Sequence, residues 1–112
     1  MEAQDNLPLT ETSFFILLSL ATTPKHGYGI IKDVELMSTG RVVLAAGTLY
    51  TALRRMLEVG WIERLEDENP NPESRERKLY ILSDLGRQIF QLETNRLQRL
   101  VHLTRTRLNE RQ

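Results

Sequence analysis

Hydroxyl and guanidinium groups are concentrated in one short segment, residues 47–60. Its polar members are Thr48, Tyr50, Thr51, Arg54 and Arg55. The apolar residues between them recur at the spacing of a helix with about 3.6 residues per turn, and they are Leu49, Ala52, Leu53, Met56 and Leu57. The pattern predicts a helix over about 47–59 with its N-cap at Gly47 or Thr48 and a C-terminal stop at Gly60.

Two adjacent arginines beside hydroxyl groups on a rigid helix are suited to contacts with phosphate groups and base edges. Guanidinium groups present planar forks of donors, and neutral hydroxyls tolerate close approach. The chemistry indicated is therefore nucleic-acid binding. A polar arc opposite an apolar stripe is also what an ordinary solvated helix shows, so this segment alone leaves both interpretations open.

The overall charge gives no support for a nucleic-acid partner. The 112 residues contain 15 Lys and Arg and 15 Asp and Glu, so the formal net charge is zero. Before Arg41 there are two basic and five acidic residues, and from Arg41 onward there are thirteen basic and ten acidic residues. This uneven distribution is weak evidence for a basic surface in the second part of the chain.

Other classes of function find little support in the sequence. The chain has no cysteine, and His26 and His102 lie far apart without a ligand pattern, so we expect no metal site and no cofactor. No paired catalytic acids, Gly-rich phosphate loop or Ser/His/Asp arrangement indicates an enzyme. The longest apolar run is too short for a membrane span and no export signal opens the chain, so we expect a cytoplasmic protein.

The N-terminal half predicts a flexible segment at 1–9 and then two helices. Thr10 is the expected N-cap of the first helix, which is apolar nearly all round; we expect a second subunit to cover Phe14, Phe15 and Leu18. Residues 26–29 predict a tight turn, followed by a second helix over about 29–37. Residues 41–44 contain two adjacent β-branched residues, Val42 and Val43, and predict a short strand. Together with the helix over 47–59, this order is that of a helix-turn-helix.

Alternating segments at 61–66 and 78–82 predict a β-hairpin over about 62–82 with a long polar tip. A helix-turn-helix followed by a hairpin is a winged helix, which we place at 10–82. Arg75, Arg77 and Lys78 lie on the returning side of this wing, where they could neutralise phosphates. The wing also carries more acidic than basic residues, which weakens that assignment.

The C-terminal segment, 83–112, predicts one long helix that is capped at Ser83 or Asp84 and runs to about Leu108. Its apolar residues form two stripes. One consists of Leu85, Ile89, Leu92, Leu100 and Leu103, and the other of Phe90, Leu97, Val101 and Leu108. One stripe can pack on the domain. The other needs a partner, and the same helix of a second copy, in an antiparallel homodimer, can cover it. The alternative is that the helix folds back and buries both stripes on its own chain.

Taken together, these segments resemble the PadR family of bacterial transcriptional regulators over about residues 10–108. The resemblance lies in residues 17–21 and 24–30, the Gly47-Thr48-Leu49-Tyr50 segment, and residues 77–80 with Gly86-Arg87. It implies a mainly α winged helix-turn-helix repressor that is dimeric through its last helix and binds a pseudo-palindromic operator. Family members often respond to small molecules. No Trp lies on the last helix of this chain to stack on a ligand, so the resemblance does not decide whether this protein binds an effector.

The sequence and the resemblance together give two sets of candidate residues. The DNA-contacting set is Gly27, Tyr28, Gly47, Thr48, Tyr50, Thr51, Arg54, Arg55, Arg75, Arg77 and Lys78. The dimer set is Phe14, Phe15, Leu18, Phe90, Leu97, Val101 and Leu108. The alternative function is a winged helix that binds a protein or a ligand without binding DNA, which the zero net charge and the acidic wing favour.

Overall fold

The computed structural model describes residues 6–68 and 77–110. These residues form four helices and one hairpin. In chain order the elements are α1 (Glu11–Leu20), α2 (Gly27–Met37), α3 (Ala46–Glu58), β1 (Ile62–Glu66), β2 (Lys78–Leu82) and α4 (Asp84–Asn109). The predicted order of four helices and a hairpin is therefore confirmed, apart from the short strand predicted at 41–44.

The first two helices differ from the prediction at one boundary. Thr10 caps α1 as predicted, with its side-chain oxygen accepting from the amide of Ser13. Helix α2, however, begins at Gly27, with His26 as its N-cap, so the predicted turn over 26–29 is wrong. Gly27 is buried, and a Cβ added to Gly29 would meet the Lys25 side chain only at ordinary contact distance, 3.7 Å. The first turn of α2 thus contains two glycines, although the intrinsic helix propensity of glycine is low.

Helix α3 is reached through an irregular connection. Residues 41–45 adopt no regular secondary structure, so the predicted strand at 41–44 is wrong. Leu44 is buried with the helices, and the two strands of the hairpin pair with each other. The N-cap of α3 is Ala45, which provides no side-chain bond, so the predicted cap at Gly47 or Thr48 is also wrong. Gly60 follows the helix with φ +81°, as its predicted role as a stop requires.

The hairpin is antiparallel and is attached to the segment before α2. Its register pairs Ile62 with Leu82 and Arg64 with Tyr80. The amide of Lys25 donates to the carbonyl oxygen of Tyr80, and the Tyr80 amide donates back to Lys25. Ile62, Tyr80 and Leu82 are buried, whereas the rest of β1 is exposed. The hairpin therefore packs on the helices at its open end, where β1 begins and β2 ends, and Glu63 to Glu66 are exposed beyond it.

Helix α4 packs on the hairpin over its first turns only. Ser83 caps it by accepting from the Gly86 amide, and the Ser83 hydroxyl donates to the carbonyl oxygen of Gly60. A Cβ on Gly86 would lie 1.9 Å from the carbonyl oxygen of Trp61, so only glycine fits this approach. Every residue from Leu97 to Glu110 is exposed. The distal half of α4 therefore projects from a molecule of 60 × 34 × 22 Å.

The prediction of two apolar stripes on α4 is only partly correct. Ile89 is fully buried, but Leu85 is 39% exposed, and the buried line of the helix consists of Gly86, Ile89 and the charged Glu93. Beyond Leu97 both predicted stripes face solvent, so neither of them packs on the domain there. The core itself is built from α1, α2 and α3 with the start of the hairpin, and it includes Ile16, Leu17, Ile30, Leu49 and Leu53.

Candidate nucleic-acid interface

Helix α3 separates its buried stripe from its polar face as the sequence predicts. Leu49, Leu53 and Met56 are at most 3% exposed. The polar face is exposed along its length, and its members are Thr48, Tyr50, Thr51, Arg54 and Arg55. Burial of the stripe fixes the rotation of the helix about its axis, so both guanidinium groups start from the outer surface of a rigid element.

The first turn of α3 is small and open. Ala45, Ala46 and Gly47 are all exposed, and no described atom lies within 4 Å of the position that a Cβ on Gly47 would occupy. Glycine inside a helix costs about 0.5–1 kcal/mol relative to alanine. No packing contact in the described chain explains why residue 47 is a glycine despite this cost. A molecule that approaches the backbone closely, where the first-turn amides have no acceptor within the helix, would give the glycine a role.

Tyr28 lies on the surface. Packing in the core, the other role open to this side chain, is therefore not the one it has. Its side chain is 63% exposed, and the ammonium group of Lys32, one turn further along α2, is 5.2 Å from the centre of its ring. Gly27 is buried. Because glycine has no side chain, any contact of Gly27 with a partner would involve its backbone. The N-terminal turn of α2 thus presents a phenol and a nearby cation to solvent.

The base of the wing is attached to α2 through His26. The imidazole Nε2 lies 2.8 Å from Oδ2 of Asp67, and Nδ1 lies 2.7 Å from the carbonyl oxygen of Lys78. The Asp67 amide donates to the carbonyl oxygen of Arg77 at 2.6 Å. Arg77 and Lys78 themselves are exposed, whereas Arg75 lies outside the described residues. The two described wing cations are therefore held near the N-terminal turn of α2.

Several cations of the helical part form ion pairs within the chain, whereas no ion pair of the described residues involves those of the α3 face. Lys25 pairs with Asp33 at 3.7 Å and donates to the carbonyl oxygen of Ser19, while Arg41 pairs with Glu11. Arg54 and Arg55 take part in none of the ion pairs found among residues 6–68 and 77–110. They are therefore available to an external anion without first breaking such a pair.

The residues predicted to form a dimer interface fall into two groups. Phe15 and Phe90 pack against the core of their own chain, and Phe90 stacks on Phe14 with ring centres 5.0 Å apart. Leu18 is half-buried. The others are exposed, at 37% for Leu97, 48% for Val101 and 61% for Leu108. Phe14, Leu97 and Val101 line one shallow groove of about 450 Å³ along α4.

Sequence reasoning missed two polar contacts that position these elements. One is the partly buried contact of His26 with Asp67, which are 41 residues apart. The other is the carboxylate of Glu93, which is 2% exposed and accepts from the Leu9 amide at 2.8 Å and from the Arg96 guanidinium at 2.5 and 3.1 Å. The hydrogen bond from Arg96 lowers the pKa of Glu93; burial opposes this shift and the bond from Leu9 adds to it. The spacing of Glu93 and Arg96 on one helix could have indicated their pair, but no local pattern marks the contacts with Asp67 and Leu9.

Among residues 6–68 and 77–110, no group of three or more His, Asp or Glu side chains is placed to hold a metal ion. Over the same part of the chain, no helix combines the length and the apolar character needed to cross a membrane.

The three-helix unit, the hairpin that follows it and the polar face of α3 define a winged helix-turn-helix protein. The family described as the transcriptional regulator PadR-like family matches residues 16–92. The chain belongs to this family, as the resemblance in its sequence predicts. Family and fold are those of transcription regulators rather than enzymes.

Solved structures support the same fold. A PadR family transcription regulator from Clostridium difficile superposes with a TM-score of 0.69 at 23% identity, over 88% of this chain and 99% of that one. A PadR-like transcriptional regulator from Bacillus cereus gives 0.69 at 19% identity, over 86% and 89%. Bacillus subtilis PadR in complex with operator DNA gives 0.62 at 21% identity, over 75% and 46%. No curated protein matches the sequence.

Proposed function

We propose that the protein is a homodimeric, sequence-specific DNA-binding repressor that inserts α3 into the major groove and rests its wing on the phosphate backbone. The observation that carries the proposal is the exposed α3 face, on which Arg54 and Arg55 are free of ion pairs within the described residues. Arginine forks can bind guanine edges or phosphates, and the hydroxyls of Thr48 and Thr51 suit phosphate contacts.

Dimerisation is supported by the exposed distal half of α4. Leucine and valine side chains there are between 37% and 61% exposed along successive turns. Such a row of apolar groups is costly in water, and a second copy can cover it through a two-fold, self-complementary contact. In this proposal the pair presents its two α3 helices about 34 Å apart, or at a multiple of that distance, to a pseudo-palindromic operator.

The alternative, a winged helix that binds a protein or ligand without DNA, is favoured by the zero net charge. The two functions differ in their dependence on salt. If a dimer neutralises about four to six phosphates, affinity should fall by roughly 100- to 1,000-fold between about 50 and 200 mM salt.

The test is to select fragments of the organism's own DNA on the purified protein and to titrate the best fragment across this salt range. A steep fall supports the proposal. Failure to retain any fragment at low salt, or an affinity that does not change with salt, would contradict it. Screening the complex for compounds that release the DNA would then show whether an effector exists.

A further inference from the structure

His26 joins three elements at the base of the wing. It immediately precedes α2, its Nδ1 contacts the Lys78 carbonyl oxygen at the start of β2, and its Nε2 contacts the Asp67 carboxylate directly after β1. The backbone of Lys25 is paired with Tyr80 beside it. The side chains of His26 and Asp67 are only 25% and 18% exposed, so water competes weakly for these contacts. The N-terminal end of α2 is thus attached to both strands of the wing.

The two ring contacts together require an additional proton. A carbonyl oxygen and an ionised carboxylate oxygen only accept hydrogen bonds, whereas a neutral imidazole carries one N–H. Both hydrogen bonds therefore form when the ring of His26 carries two N–H groups. The closed contact then holds one proton more than a neutral ring beside the same carboxylate.

We propose that protonated His26 is a positioning residue for the wing, and that loss of its proton loosens the wing from α2 and weakens DNA binding. The inference rests on the proposed function, because Tyr28, Arg77 and Lys78 belong to the proposed DNA-binding surface and all lie within two residues of a partner in this contact. An unperturbed histidine titrates near pH 6.5, so the effect falls within the physiological range.

Other groups at this junction act on the ring in both directions. Among residues 6–68 and 77–110, the titratable or charged side chains that the three elements bring there are Lys25, Tyr28, Glu66, Asp67, Arg77 and Lys78. The cations and the positive end of α2 oppose a charged ring, whereas the carboxylates favour it. Asp67 dominates because its full charge lies 2.8 Å from Nε2 in a direct hydrogen bond, whereas the end of a helix carries only about half a charge.

The contact can be tested in the free protein by NMR. Comparison with His26→Gln assigns the ring signals of His26, because His102 is the only other histidine. The midpoint of the His26 titration should be lower by about 1 pH unit or more in Asp67→Asn than in the unmodified protein. Amide signals of Asp67 to Glu68 and Arg77 to Lys78 should shift with the same midpoint in the unmodified protein. An unchanged midpoint in Asp67→Asn would overturn the proposal.

The effect on DNA binding is measured with the genomic fragment selected above, at about pH 6 and about pH 8. The unmodified protein and the control Glu35→Gln, an exposed position on α2 outside both proposed surfaces, should lose about 5- to 10-fold more affinity over this range than His26→Gln. Asp67→Asn should bind with little dependence on pH, because the asparagine amide can donate to the neutral ring. Equal pH dependence in all four proteins would overturn the proposal. If none of them binds DNA at any pH, the proposed function fails. The NMR titration would still show whether His26 and Asp67 form the proposed contact.

Discussion

The backbone amide of Leu9 donates a hydrogen bond to the buried carboxylate of Glu93, 84 positions away in the chain, at 2.8 Å. This bond attaches the segment before α1 to the part of α4 where the helix leaves the domain. Arg96, one turn later, satisfies the same carboxylate. A charged side chain thus occupies a buried position on α4 because two donors meet it there.

Replacing Glu93 with alanine should lower the free energy of unfolding by about 1–3 kcal/mol, because the Leu9 amide loses its acceptor inside the protein. Denaturation in urea measures this change. Glu110→Ala, at the exposed C-terminal end of α4, is the matched control and should unfold like the unmodified protein. Equal stability of Glu93→Ala and the control would show that the carboxylate contributes nothing.

The lowered pKa of Glu93 predicts how stability depends on pH. A carboxyl group whose pKa is lower in the folded state stabilises the protein above its unfolded-state pKa, near 4.3, and this contribution is lost as pH falls through the folded-state pKa. The difference in unfolding free energy between the unmodified protein and Glu93→Gln should therefore be largest above about pH 5 and should shrink towards pH 3. Urea denaturation across this range provides the test, and a constant difference would count against the assignment.

Removal of either guanidinium group from the α3 face should weaken DNA binding. Arg54→Ala and Arg55→Ala should each cost about 1–3 kcal/mol of binding free energy if the side chain contacts a base, and should reduce the salt dependence if it contacts a phosphate. Titration of the selected fragment measures both effects. Arg99→Ala removes an exposed charge from α4 instead and should leave affinity almost unchanged. If neither α3 variant differs from Arg99→Ala, the DNA-binding surface lies elsewhere.

Gly47 and Gly86 should respond in opposite ways to replacement by alanine. Gly47→Ala has open space within the described chain, so it should keep or raise stability by up to about 1 kcal/mol while reducing DNA affinity. Gly86→Ala would force a methyl group onto the Trp61 carbonyl oxygen and should destabilise the fold by about 1–3 kcal/mol or more. Thermal unfolding and DNA titration distinguish the two. Full DNA affinity in a stable Gly47→Ala protein would argue against a close backbone approach.

The proposed dimer contact can be broken on the exposed part of α4. The double variant Leu97→Glu and Val101→Glu should place charges in the interface and reduce the solution mass to one chain, 13.0 kDa, with a matching loss of DNA affinity. Light scattering coupled to gel filtration measures the mass. Leu36→Glu changes a side chain that is 76% exposed on α2, away from α4, and should leave the mass unchanged. A monomeric unmodified protein would refute the dimer.

Periodicity predicted the elements whose burial depends on repeating apolar positions. The stripe with Leu49, Leu53 and Met56 identified α3 and its exposed face, and alternation identified both strands. Residues with strong local geometry were equally informative: Thr10 and Ser83 cap their helices, and Gly60 ends α3 with a positive φ. In these segments the local preference and the tertiary packing agree.

Errors arose where distant residues decide the structure. Residues 41–44 have the composition of a strand, but the two strands of the described chain pair with each other, and Leu44 is buried among helices instead. Glu93 is buried because the distant Leu9 amide and the nearby Arg96 satisfy it, and His26 depends on Asp67 at the far end of β1. The helical spacing of Glu93 and Arg96 indicates their pair. The partnerships with Leu9 and Asp67 follow from the completed fold, so neither spacing nor composition reveals them.

Ser83 is the single residue between β2 and α4, and its side chain holds the first turn of α4 to Gly60 at the end of α3. The first turns of α4 are held further by the bond from Leu9 to Glu93 and by the stacking of Phe90 on Phe14. Beyond these contacts, Leu97 to Asn109 extends the helix by about 20 Å. Because the packed turns join this free part to the wing and to the end of α3, the direction in which it leaves the domain sets how anything that covers it is oriented relative to α3.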